Sequence, residues 1–136
     1  MIQLTRGQVN NFYVSLQEKR ISSTTTTIYY LIEFTNIMTN SAVYVVASTI
    51  SSNARYDKLR ITESNTPDAP NGTQTLEPVG FFNYIIYEQT SSTNINPSDA
   101  SVKGIVERGL AYVQDSTPEF SYTEYNPSNT NNVYVP

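Results

Sequence analysis

Cysteine and histidine are both missing from this chain of 136 residues. Without thiols there is no disulfide framework, no thiolate metal site and no cysteine nucleophile. Without imidazole the usual general base near neutral pH, the commonest metal ligand and every Ser–His triad are lost as well. Cationic charge is scarce: 8 Lys and Arg stand against 12 Asp and Glu, a formal net charge of -4 at pH 7. A chain this acidic carries no electrostatic footprint for phosphate backbones. No apolar run approaches the ~18 residues of a membrane span. The opening Met1-Ile2-Gln3-Leu4-Thr5-Arg6 has no apolar stretch of signal-peptide length. The expectation is a protein made and folded in a cytoplasm, binding neither nucleic acid nor membrane and needing no cofactor.

What is abundant is Thr (17), Ser (15) and Asn (14), with 11 Tyr, while charged residues make up only 15%. Thr and Tyr suit pleated, half-buried surfaces, and Ser and Asn suit turns. The composition therefore reads as an all-β protein with a polar, weakly charged exterior, of the kind that packs against other subunits.

The hydrophobic period is two almost throughout. Phe12, Val14 and Leu16 alternate with polar partners in a first strand. After a Ser/Thr run at 22–27, Ile28, Tyr30, Ile32 and Phe34 share one face of a second. Residues 36–41 read as a hairpin into a third strand at 42–50, with Val43, Val45 and Ala47 on one side. In 55–63, Leu59 and Ile61 point inward and Lys58, Arg60 and Thr62 outward. Pro67, Pro70 and Asn71-Gly72 mark turns before a short strand carrying Leu76. Phe82, Tyr84 and Ile86 share a face of the strong strand 81–88. Beyond a polar loop at 89–101, Gly109 reads as a bulge or bend within one long strand. Strand spacing gives about seven strands in a single antiparallel β-sandwich, immunoglobulin-like, or a jelly roll if the tail supplies an eighth. Tyr84, following Leu76-x-Pro78-x-Gly80 at a spacing longer than the usual tyrosine corner, has two readings: the strand-entry tyrosine that in immunoglobulin-like sandwiches bonds back to the preceding turn, or a core tyrosine on a strong strand.

A domain of residues 1–115 is thus followed by a different segment, 116–136. It is rich in Pro and Asn and lacks Lys and Arg, yet holds Phe120, Tyr122, Tyr125 and Tyr134. Freely solvated tails are poor in aromatics. Two readings stay open: an extended arm lying on a neighbouring subunit, or a last strand folded over its own domain.

Sites of chemistry are thin. Asp57, Glu63 and Glu107 are carboxylates on predicted strands, read as solvated edge or outward groups rather than a catalytic pair. Asp68, Asp99 and Asp115 lie in separate loops without the spacing of a hard-cation loop. Arg55, Lys58 and Arg60 form a basic cluster two charges wide, with Tyr56 on the face of Lys58, too small for a single-strand groove. Asn71-Gly72-Thr73 matches a glycosylation acceptor and is explained by the turn alone.

A set of stretches runs through most of the chain: Leu4-Thr5-Arg6-Gly7-Gln8, the strand at 12–18, and Arg55-Tyr56 leading into Leu59-x-Ile61-Thr62-Glu63. Gly80-Phe81-Phe82-x-Tyr84-x-Ile86-Tyr87-Glu88-Gln89, Ser91-Ser92-Thr93-Asn94-x-Asn96-Pro97 and Val106-Glu107-x-Gly109-x-Ala111-Tyr112-Val113 complete the set. Together these stretches resemble small virion structural proteins of tailed bacteriophages, crAss-like and related phages of Bacteroidetes. The resemblance implies a non-enzymatic auxiliary or decoration protein on the capsid surface, assembled in the host cytoplasm. Its partners would be the major capsid protein and other virion subunits, with self-association possible. Phe120, Tyr122, Tyr125 and Tyr134 are then the expected anchors, because large aromatics dominate interface energies. Two alternatives accompany this expectation: another virion part (head-fibre base, tail tube, neck or connector), or a carbohydrate-binding β-sandwich whose coplanar tyrosines stack on host glycans.

Overall fold

The computed structural model describes residues 1–21 and 27–116. Phe120, Tyr122, Tyr125 and Tyr134 lie outside the described residues. The strands are β1 (Ile2–Thr5), β2 (Val9–Val14), β3 (Tyr29–Asn36), β4 (Ala42–Ser52), β5 (Asp57–Glu63), β6 (Thr73–Gln74), β7 (Gly80–Gln89) and β8 (Val102–Gln114). Two 3-10 turns, Gln17–Lys19 and Ala69–Asn71, interrupt them. The all-β expectation holds. No helix among the described residues is long and apolar enough to cross a membrane.

The strands form one hydrogen-bonded path, β1-β8-β7-β3-β4-β5-β2, with β6 attached to β5. The path bends at β4. Its residues 42–47 pair with β3, residues 48–52 pair with β5, and the register slips between Thr49 and Ser51. Such a bulge increases local twist and lets one strand serve two sheet directions. Pairing is antiparallel along the middle of the path but parallel for β1 with β8 and for β5 with β6. This departs from a wholly antiparallel sheet, because the N-terminal strand lies beside the last strand rather than beside its sequence neighbour.

The two ends of the path, β1 and β2, are consecutive in sequence through Arg6-Gly7-Gln8. A side chain links them. Asn10, buried on β2, accepts the Thr5 N–H at 2.7 Å and donates to the Thr5 carbonyl at 3.1 Å and the Gln8 carbonyl at 3.0 Å. One amide thus occupies both backbone groups of a β1 residue, as a neighbouring strand would. The sheet is nearly closed.

Inside lie Leu4 of β1, Phe12 and Val14 of β2, Ile32 and Phe34 of β3, Val45 of β4, Leu59 and Ile61 of β5, Phe82 and Ile86 of β7, and Val113 of β8. Every strand except the two-residue β6 contributes alternate residues, the signature of a period-two pattern facing one core. Leu76 is fully buried in that core but belongs to no strand, since the short strand before it is Thr73–Gln74.

Two glycines are required by close approach. Gly72, at φ +85°, ends the Ala69–Asn71 turn against the outer face of β4, where a Cβ would stand 3.2 Å from the Val46 carbonyl oxygen. Gly109 is not the bulge that its position in the sequence suggests. It pairs in register with Tyr84, while the β7–β8 irregularities lie opposite Ile86/Tyr87 and Glu88/Gln89. A Cβ on Gly109 would come within 2.6 Å of the Tyr84 hydroxyl oxygen, so the tyrosine ring fills the glycine's vacant side-chain space.

Candidate interaction surface

The outward residues of β2 and β5 build one surface. Their antiparallel register sets Val9 opposite Thr62, Asn11 opposite Arg60 and Tyr13 opposite Lys58. The inward residues between them, Phe12, Leu59 and Ile61, are buried and hold the strands flat against the core. Buried carboxylates fasten both ends of β5. Asp57, 1% exposed, accepts the Ser52 hydroxyl and the Leu16 N–H, the latter at 3.3 Å. Glu63, 2% exposed, accepts the N–H groups of Gly7 and Leu76, the latter at 3.1 Å. Both were expected in solvent; the structure turns them inward, where they satisfy backbone donors that no strand partner reaches. Glu107, the third carboxylate, is on β8 and pairs with Lys19 of the first 3-10 turn at 3.2 Å.

Tyr56 reaches this surface from the β4–β5 connection. The Asn53 side-chain oxygen accepts the N–H groups of Arg55 at 2.9 Å and Tyr56 at 3.0 Å, and the Asn53 N–H donates to the Tyr56 carbonyl at 3.0 Å. This Asn-capped turn places the Tyr56 ring edge-on to Tyr13, with centroids 5.3 Å apart and planes at 82°. The Lys58 ammonium stands 5.7 Å from the Tyr13 ring centroid, within cation–π range. Arg60 donates through Nε to the Asn11 side-chain oxygen at 3.0 Å. Tyr13 is 61% exposed and Tyr56 42%. The surface is therefore a strand pair displaying two tyrosines, a lysine and an arginine, of which tyrosine and arginine are enriched at binding hot spots.

The sequence placed Tyr56, Lys58 and Arg60 together. It missed Tyr13, which lies far before Tyr56 in the chain and arrives only through β2–β5 pairing. Arg55 sits in the turn before β5 rather than on the strand face. Tyr84 is mid-strand on β7 and lines an open hollow together with Ile2, Tyr13, Lys19, Tyr56 and Glu107. Its hydroxyl faces Gly109 of β8. Burial, helped by the Glu107 charge, pushes the Tyr84 phenol up from its usual value.

Tyr13 and Tyr56 meet nearly perpendicular, and the exposed Phe81 packs on Tyr112 with planes at 56°, so neither pair offers the coplanar platform expected of a sugar-stacking face. Among the described residues no group of three or more His, Cys, Asp and Glu is placed to hold a metal ion. Comparison with family models, with curated proteins and with solved structures returns no match for this chain.

Proposed function

We propose that the chain is a non-enzymatic virion structural protein of a tailed bacteriophage, an auxiliary or decoration protein that binds the major capsid protein lattice and stabilises the head. The finer architecture that accompanies this reading is an immunoglobulin-like or jelly-roll sandwich ending in an extended C-terminal arm. The observation that carries it is the Tyr13–Tyr56–Lys58–Arg60 surface: a preorganised aromatic and cationic face on a chain without histidine or cysteine suits binding rather than chemistry. The stretches that resemble phage virion proteins support the major capsid protein as the partner. Phe120, Tyr122, Tyr125 and Tyr134 act as further anchors, and modest affinity per copy suffices because many copies bind one lattice.

The alternative virion roles as ring or tube components call for assembly through sheet edges. The two terminal strands here face one another across the Asn10 link, which favours a decoration role over edge-built rings. The test is sedimentation of the purified protein with capsids assembled from its phage's major capsid protein, with and without residues 116–136. Binding to capsids that weakens when the arm is removed is the expected result. Equal absence of binding for both forms would refute the proposal.

A further inference from the structure

The outer face of β3, β7 and β8 carries an acid and a base that do not meet, and we infer that a second copy of this chain docks there as a symmetric dimer. Strand register fixes the layout. Glu33 of β3 pairs with Ile85 of β7, and Ile85 pairs with Arg108 of β8, so one outward row reads Glu33–Ile85–Arg108. In the next row stand Thr35, Asn83 and Leu110, and beyond them Phe81 and Tyr112. Phe81 and Leu110 are exposed, and the Phe81 and Tyr112 rings pack on one another with centroids 4.9 Å apart. Toward its other end the face is closed by the chain itself: Leu31 and Val46, paired in register, are buried, and Gly72 lies against the Val46 carbonyl. The open rows thus combine apolar and aromatic side chains with one acid and one cation.

Charge complementarity identifies the occupant. Among the described residues the ion pairs are Arg6–Glu77, Lys19–Glu107 and Arg20–Glu88, and neither Glu33 nor Arg108 is in one. Glu33 accepts the Tyr87 hydroxyl at 2.9 Å and the Thr35 hydroxyl at 3.3 Å, which hold its carboxylate on this face. Arg108 is exposed. The two flank Ile85, each one strand away, about 4.8 Å to either side. A two-fold axis laid along β7, between two such faces, carries β3 of one copy over β8 of the other. Glu33 then stands opposite Arg108 of the second copy and Arg108 opposite its Glu33, with Ile85 on Ile85 between the two pairs. Aligned sheets pack about 10 Å apart with strands within about 30° of each other, so the row at the crossing point keeps this match. An axis across the strands through the same row would set Glu33 on Glu33 and Arg108 on Arg108, an arrangement that like charges oppose. A face that is its own complement closes as a dimer and does not grow into a filament. This inference goes beyond capsid binding and does not rest on it, because the face shares no residue with the Tyr13–Tyr56–Lys58–Arg60 surface.

The test is sedimentation velocity of the full-length protein over a dilution series, with Arg108→Glu and Glu33→Lys as variants, each alone and the two mixed in equal amounts. Arg108→Glu changes an exposed side chain and so keeps the test valid should Glu33→Lys fold poorly. The wild type is expected to move from monomer to dimer mass as concentration rises, and no further. Each variant alone should dimerise at least about tenfold more weakly, because both pairs of the symmetric contact then set like charges together. The mixture should recover wild-type dimerisation, since each variant then meets opposite charge at both pairs. A wild type that stays monomeric at every concentration overturns the inference, whether residues 117–136 or another protein then occupies the face. Dimerisation unaltered by Arg108→Glu also overturns it. So does a mixture that associates no better than its components, once circular dichroism shows both variants folded.

Discussion

Tyr84 and Gly109 illustrate how single residues set this sheet. The tyrosine ring occupies the place where a Cβ of residue 109 would stand, 2.6 Å from the phenol oxygen. Gly109→Ala is expected to cost about 1–3 kcal/mol, the usual range for overpacking a well-filled site. Combining it with Tyr84→Leu removes the clash, so the two penalties should not add. Urea midpoints of the two single variants and the double variant check this; strict additivity would contradict the contact. Ionisation provides a second residue-scale prediction. Burial, with the negative charges of Asp57 and Glu88, pushes the Tyr30 phenol up from 10.0 to about 12. The unfolded chain releases this proton near pH 10 while the folded chain keeps it, so the folded state binds more protons in that window. Stability from Tyr30 is therefore complete below pH 10 and is lost as pH rises through 12, a change of about 2–3 kcal/mol. Tyr30→Phe should flatten that part of the stability profile in urea titrations from pH 9 to 12, and an unchanged slope would show that Tyr30 does not carry it.

At the scale of elements, the closure between β1 and β2 rests on Asn10. Asn10→Ala leaves the Thr5 N–H and carbonyl without their partner, expected to cost about 1–3 kcal/mol. Amide hydrogen exchange should show the loss locally, with faster exchange at Thr5 and no change along the β3–β7 ladder. Uniform acceleration across all strands would mean that the link is not a local clasp. The same region marks the border of what the sequence made legible. Strands β3, β4, β5, β7 and β8 were readable because long period-two runs identify their inward faces. The outward parity of Lys58, Arg60 and Thr62 followed from the same pattern. Strand β1 was not readable: it has four residues, and its partner β8 lies over a hundred positions away. Asp57 and Glu63 were misread as solvated because their partners, Leu16, Gly7 and Leu76, are set by tertiary structure and not by neighbours on the strand. Gly109 was misread for a related reason. A glycine in a strand signals either a bulge or a close approach, and only the β7–β8 register shows which.

For the whole molecule, net charge and local charge point in different directions. A chain at -4 overall gathers Lys58 and Arg60 with two tyrosines on one strand pair. Asp115 and Ser116, the last described residues, lie beside Gly7 and Glu63 at one end of that pair. Under the proposed reading, the exposed Tyr13–Tyr56–Lys58–Arg60 face of this nearly closed sheet is repeated over many copies on one lattice, so weak contacts add up to stable binding. The most direct test of that account is the saturation of capsid binding. Increasing amounts of purified protein are sedimented with capsids of the major capsid protein, and the bound ratio is measured. The account predicts a plateau at a fixed ratio of chain to capsid subunit, reduced in affinity by Tyr13→Ala/Tyr56→Ala and by loss of residues 116–136. No capsid-bound protein at any concentration, with rings or tubes forming from the protein alone, would contradict it.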